Sequence, residues 1–260
     1  NPIFYPSQFV TYFYMDQDNP STIYYAGNSN LVRTNDAENV TSDSWTLLGS
    51  LPFSERINTI EASKGTYDAS SSFILIGGRG GNIYKLNDPH NAVDLGNLRK
   101  ITPSGINTNA LNVNAGQYSS DIAIHPNNPD VAIITYSSYG SDIRNIYITN
   151  NLSASVPTWT EVERNLESHS VRAAAIAEVN NETVYFVGTA RGLYMSSDPS
   201  STDWSLESPN LIGLSVVSGL VYRSSDNILL VGTHGNGMFE ANLNETLSNE
   251  NIELDKLSIA

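Results

Sequence analysis

Short apolar runs recur along the chain, each closed by a glycine- or asparagine-rich turn and followed by a run in which apolar and polar residues alternate. The stretch IYYAGNSNLVRTND (23–36) returns as ILIGGRGGNIYKLND (74–88), VYFVGTARGLYMSSD (184–198) and LLVGTHGNGMFEANL (229–243). A longer variant is AIITYSSYGSDIRNIYITNN (132–151). Alternation with period two between turn signals predicts β-hairpins. Gly27, Gly77, Gly188 and Gly232 open four of the turns, and Tyr136 stands at that place in the third. In the last copy the glycines at 232, 235 and 237 are expected to take positive φ, and glycines lacking a side chain let a sheet narrow. The Lys-Ser/Thr of a phosphate loop does not follow them, so VGTHGNGMFE (231–240) reads as a hairpin rather than a ligand loop.

A strand precedes each hairpin: FVTYFYMD, INTIEAS, SSDIAIHP, VRAAAIAEV and SGLVYRS. Two of these lead into similar turns, DQDNPS (16–21) and HPNNPD (125–130). A fourth strand follows four of the hairpins: SWTLLG, LRKITP, TWTEVE and DWSLES. No stretch holds a 3.6-residue period beyond two turns, and the alanine-rich VRAAAIAEV runs straight into a turn and strand. Four antiparallel strands every ~50 residues is the signature of β-propeller blades. The expected fold is all-β, with blades at about 8–50, 57–101, 119–163, 171–207 and 214–243. Residues 1–243 hold four complete blades and three strands of a fifth. The segment NPIFYPSQ, with Pro2 and Pro6, is a poor donor of the missing strand. Two readings stay open: the C-terminal part of a seven- or eight-bladed ring, which is favoured, or a five-bladed ring closed irregularly. Residues 244–260 form a polar, acidic tail.

Composition narrows the function classes. The net charge of −14 repels nucleic acid and anionic lipid, which need clustered Lys and Arg. There is no cysteine, hence no disulfide framework and no thiolate metal site. No apolar run reaches the ~18 residues of a membrane helix. The chain starts at Asn1, which suggests a processed product or a piece of something longer. Asn-x-Ser/Thr sequons at Asn39, Asn151, Asn181 and Asn244 carry no weight in a chain this rich in Asn, Ser and Thr.

The joins between third and fourth strands read RTNDAENVTSDSW (33–45), ITNNLSASVPTW (148–159) and MSSDPSSTDW (195–204). They resemble the Asp-box, or BNR repeat, Ser/Thr-x-Asp-x-Gly-x-x-Trp, of sialidases, xyloglucan hydrolases, sortilin-type receptors and bacterial surface proteins. Asp36 and Asp198 stand at its Asp position, Asn151 replaces it in the third unit, and Trp45, Trp159 and Trp204 match the aromatic. The glycine is missing throughout. The resemblance covers roughly residues 8–243 and implies that these residues are structural, the carboxylate accepting backbone N–H bonds and the aromatic packing across the hairpin base. IELDKLSIA, at the end of the tail, resembles the junction before the C-terminal sorting domain of bacterial type IX secretion substrates. That resemblance implies export to the cell surface or medium.

In a propeller the turns between second and third strands share one face with the links between blades, where ligands commonly bind. Arg79, Arg191 and His234 fall in such turns, Arg144 in the longer third turn, and Arg56 and Arg172 where links enter a first strand. Arginine forks suit carboxylate, sulfate or phosphate. Candidate acids on that face are Glu55, Glu161, Glu163 and Glu167, none of them in a catalytic motif. The Arg-Ile-Pro motif of sialidases is absent, and no His pair has metal spacing. Loop carboxylates such as those of the Asp16–Asp18 turn are the only opening for calcium; no other cofactor is expected. The reading is a non-catalytic extracellular binding or adhesion module recognising an anionic glycan or protein partner. The alternative is part of a glycoside hydrolase whose acids lie mostly outside this chain. The rest of the propeller, as a missing segment or separate chain, is a further expected partner.

Overall fold

The computed structural model describes residues 11–106, 108, 117–138, 143–246 and 258–259. It divides into two compact units, Asn1–Ser119 and Ser120–Ala260. The blade boundary at residue 8, Pro2, Pro6 and most of the tail lie outside the described residues.

Every sheet is a four-stranded antiparallel meander. The first comprises β1 (Phe13–Met15), β2 (Ile23–Gly27), β3 (Asn30–Thr34) and β4 (Thr46–Ser50). The second comprises β5 (Ile57–Ala62), β6 (Phe73–Gly78), β7 (Ile83–Asn87) and β8 (Arg99–Lys100). The third comprises β9 (Ser119–Ile124), β10 (Ala132–Tyr136), β11 (Ile146–Thr149) and β12 (Thr160–Glu161). The fourth comprises β13 (Val171–Val179), β14 (Glu182–Thr189), β15 (Gly192–Ser196) and β16 (Ser205–Glu207). The fifth comprises β17 (Val216–Arg223), β18 (Ile228–His234), β19 (Met238–Asn242) and β20 (Ser258–Ile259).

The expected three strands of the fifth sheet are present, and the chain end adds a fourth. Phe239 pairs with Ile259 and Glu240 with Ser258. Sequence alone could not place β20, because two residues are too short a run for periodicity to mark.

The alanine-rich β13 shows why strand wins over helix here. Ala is the best helix former, yet both faces of this strand are covered. Ala173, Ala175 and Ala177 pack with Val217, Leu220 and Phe239 of the fifth sheet. Ala174 and Ile176 pack with Ile133 and Ile146 of the third. Small side chains let neighbouring sheets approach closely at their first strands. In the first unit, Tyr24, Leu31 and Leu48 of the first sheet meet Ile60, Ile74 and Leu86 of the second. Each fully buried aliphatic side chain stabilises by roughly 1.5–3 kcal/mol.

A β-bulge recurs at one place in three first strands: between Ile57 and Thr59, between Val171 and Ala173, and between Val217 and Gly219. A bulge adds a residue and turns the strand end. Gly188 lies opposite such a bulge. A Cβ there would stand 2.6 Å from Val217 Cγ1 and 2.9 Å from the Val217 carbonyl, so the next sheet's first strand leaves no room for one. The left-handed expectation holds for Gly235 (φ +92°) and Gly237 (φ +80°) but not for Gly232, which sits within β18.

Candidate functional site

The bulges and hairpin turns build a repeated corner. In the first unit, Arg79 N–H donates to the Arg56 carbonyl at 2.8 Å, holding the two arginines at one corner of the second sheet. In the second unit, Ala190 N–H donates to the Ser170 carbonyl at 2.9 Å, which brings the bulge bearing Arg172 and the turn bearing Arg191 to one corner of the fourth sheet. His234 occupies the Arg79 position in the fifth sheet and is exposed. Arg56, Arg172 and Arg191 are exposed and Arg79 is half-buried. Among the described residues, the side chains of these four arginines and of His234 make no ion pair or hydrogen bond.

Arg144 is placed differently. Its guanidinium lies 3.1 Å from Glu167 Oε1 and 3.9 Å from Glu161 Oε2. Its charge is balanced by Glu161 at the end of β12 and Glu167 in the link to the fourth sheet, so it is the least available of the six predicted ligand residues.

Two of the four candidate acids are buried and tied into the backbone, while Glu161 and Glu167 lie against Arg144. Glu55 and Glu163 are fully buried. Glu55 Oε1 accepts from Asn82 N–H at 3.2 Å, and its Oε2 accepts from Asn82 Nδ2 at 2.7 Å and from the Tyr84 hydroxyl at 3.1 Å. Glu163 takes the same part against Asn145, with Oε2 accepting from its N–H at 3.1 Å and Oε1 from Nδ2 at 2.8 Å. Burial pushes the Glu163 carboxyl above its usual range, against the lowering effect of the Asn145 bonds. These glutamates tie the start of a third strand to a blade link, a role visible only once residues 27 or 18 apart are brought together.

The opposite ends of the sheets carry a second repeat. Asp16 Oδ1 accepts from Asp18 and Asn19 N–H, both at 3.1 Å. His125 Nδ1 accepts from Asn127 and Asn128 N–H, also both at 3.1 Å. A carboxylate and an imidazole thus close the same turn, so the His125 ring is neutral with its proton on Nε2, which faces Thr183 Oγ1 at 3.1 Å. Burial lowers the His125 pKa, and the nearby Glu178 charge only partly offsets this. His90 lies in the loop between β7 and β8. It stacks on Tyr67 with centroids 3.8 Å apart, and its Nε2 lies 3.5 Å from Asp16 Oδ2. The buried Arg33 donates to the Pro89 and Ala92 carbonyls and pins this loop. Among the described residues no group of three His, Asp or Glu side chains is placed to hold a metal ion.

In the third-to-fourth strand joins, a hydroxyl accepts the first backbone N–H of the turn. Thr34, Thr149 and Ser196 each accept from the N–H two residues on, that of Asp36, Asn151 and Asp198, at 3.2, 3.3 and 3.2 Å. Asp36 then accepts from Asn39 Nδ2 at 2.9 Å, and Asn151 Oδ1 from Thr158 N–H at 2.9 Å. The Asp198 carboxylate makes no such bond among the described residues. Trp204 is buried and donates to the Val162 carbonyl at 2.7 Å, and Trp45 meets Tyr25 edge-on with centroids 6.2 Å apart. Trp159 is half-buried just before β12.

No family model matches the sequence, and no curated protein matches it. Solved structures do. The β-propeller domain of Myceliophteria thermophila Swd1 (Cps50) superposes with a TM-score of 0.60 at 11% identity, covering 95% of this chain and 69% of that one. An ancestral GH74 enzyme superposes with a TM-score of 0.62 at 14% identity, covering 96% of this chain and 31% of that one. This chain therefore spans just over two thirds of the first and under a third of the second. The fold is that of a β-propeller, with the meander sheets as its blades. No helix among the described residues is long and apolar enough to cross a membrane.

Proposed function

We propose that this chain is a non-catalytic binding or adhesion module of an exported bacterial protein, and that it takes an anionic glycan or an acidic protein segment at its arginine corners. The observation that carries this reading is the exposed pair Arg172 and Arg191, without an ionic partner among the described residues, in a chain of net charge −14. A guanidinium left unpaired amid so many carboxylates suits an external anion. The Asp-box resemblance and the resemblance of the tail to a type IX junction support export and a carbohydrate-facing role.

The alternative, a part of a glycoside hydrolase, draws on the likeness to the GH74 enzyme. Against it stand the four candidate acids: Glu55 and Glu163 are buried and engaged, and the exposed Glu161 and Glu167 both lie against Arg144, whereas glycoside hydrolysis needs two carboxylates free to meet substrate. The test is retention on a dextran sulfate column under a salt gradient. Retention at low salt that is lost in Arg172→Ala/Arg191→Ala supports the reading. Flow-through of the wild type would defeat it. Release of reducing ends from polysaccharide by the purified chain would favour the hydrolase.

We also infer that further blades complete the ring, supplied by residues outside these 260 or by a separate chain. The face of the first sheet turned away from the second carries Phe13 (67% exposed) and Met15 (51%). The face of the fifth sheet turned away from the fourth carries Val221 (44%) and Met238 (50%). Apolar faces of this kind are what a neighbouring blade covers.

A further inference from the structure

At the end of β14 remote from Arg191, a cleft of about 220 Å³ opens between the third and fourth sheets. Hydroxyls predominate on its walls, with Thr158 and Thr160 on one side and Thr183, Tyr185 and Ser200 on the other, beside Ile148, Asn150 and Pro199, and Asp198 at the rim. Ring and carboxylate come from different segments, and only the hairpin register of β14 with β15 brings them together: Tyr185 pairs with Ser196, two residues before Asp198.

We propose that this cleft binds a neutral sugar ring through its vicinal hydroxyls. The Asp198 carboxylate is exposed and, among the described residues, accepts no hydrogen bond, in contrast to Asp36 and Asn151 at the equivalent positions. A carboxylate presents two acceptor oxygens, the complement of two adjacent hydroxyls. Thr183 Oγ1 accepts from the Nε2 proton of His125, which leaves its own proton to donate. Burial, and then the Asp198 charge, push the Tyr185 phenol above its ordinary value, so it stays a donor at neutral pH. A negative ligand is disfavoured. Arg164, which reaches this rim, is already paired with Asp203 at 3.3 Å while donating to the Ser200 carbonyl at 3.2 Å. Calcium is disfavoured too, because the lining offers one carboxylate, against the several charged oxygens of tight calcium sites. The volume lies below the ~300–1,000 Å³ of sites for larger ligands, and fits one ring rather than a chain.

The site is independent of the arginine corners, and the experiment separates the two. Methyl glycosides of glucose, galactose and mannose are titrated into the purified chain, with glucuronate and calcium chloride as controls, followed by saturation-transfer NMR and calorimetry. At least one methyl glycoside is expected to bind. Asp198→Asn weakens that binding at least tenfold and Tyr185→Phe several-fold, while Arg172→Ala/Arg191→Ala leaves it unchanged and loses only retention on dextran sulfate. The third repeat carries Asn at the Asp198 position, so Asp198→Asn is compatible with the turn, and the exposed Thr160→Val provides a second variant that leaves the core alone. Absence of binding by all three glycosides, binding indifferent to Asp198→Asn and Thr160→Val, or a site that takes calcium or glucuronate in preference would each overturn the proposal.

Discussion

At the residue scale, Asp16 and His125 show how unlike side chains serve one backbone requirement. Each offers a single acceptor atom to two successive N–H groups of a turn. The carboxylate does so across the neutral range. Burial opposes its ionisation, but the nearby His90 ring and bonds from Asn19 and the turn N–H groups more than offset this and lower its pKa. The imidazole can do so only while Nδ1 is unprotonated. Its folded pKa is depressed, so the unfolded chain takes up the proton first. The stabilisation is complete above the ordinary histidine value of ~6.5 and is lost as pH falls through that value towards the folded one. Urea unfolding midpoints of the wild type are therefore expected to drop between about pH 7.5 and 5, and His125→Asn, which keeps an acceptor without titrating, to flatten that drop. Equal pH slopes for both proteins would contradict this. The turn role of His125 was legible from its repeat with Asp16. The stacking of His90 on Tyr67 was not, because it joins loops of different strands.

At the element scale, the repeated unit is a bulged first strand facing a glycine on the second. Gly188 holds that place in β14, where Val217 of the next sheet leaves no volume for a Cβ. Gly188→Ala should destabilise by about 1–3 kcal/mol through overpacking between neighbouring sheets, read as a lower urea midpoint with an unchanged slope. An unchanged midpoint would show that the sheets can part to admit a methyl group. Hairpins and flanking strands were legible because alternation and turn chemistry are local. The bulges were not, since a single extra residue leaves the period-two pattern nearly intact. The joins between third and fourth strands fall between these cases: their positions repeat in the sequence, but only the structure shows that a hydroxyl accepts the N–H two residues on.

For the whole molecule, the methionines report on the proposed larger ring. Met15 and Met238 are half exposed on faces that no neighbouring sheet covers within their own units. In this chain both should oxidise readily with dilute peroxide, as followed by peptide mass spectrometry. In a protein with the further blades present both should be protected. Equal oxidation in the two would remove the case for added blades on those faces.

The repeat period, hairpin order and acidic surface were fixed by sequence, because each depends on side-chain type at short separation along one strand or turn. Contacts between strands far apart in the chain decided the rest. They closed the fifth sheet with β20, buried Glu55 and Glu163 against asparagines, drew Arg144 to two glutamates, and left Asp198 open beside Tyr185. Such outcomes turn on which groups meet and how far water is excluded from them, quantities that a linear pattern of residues does not contain.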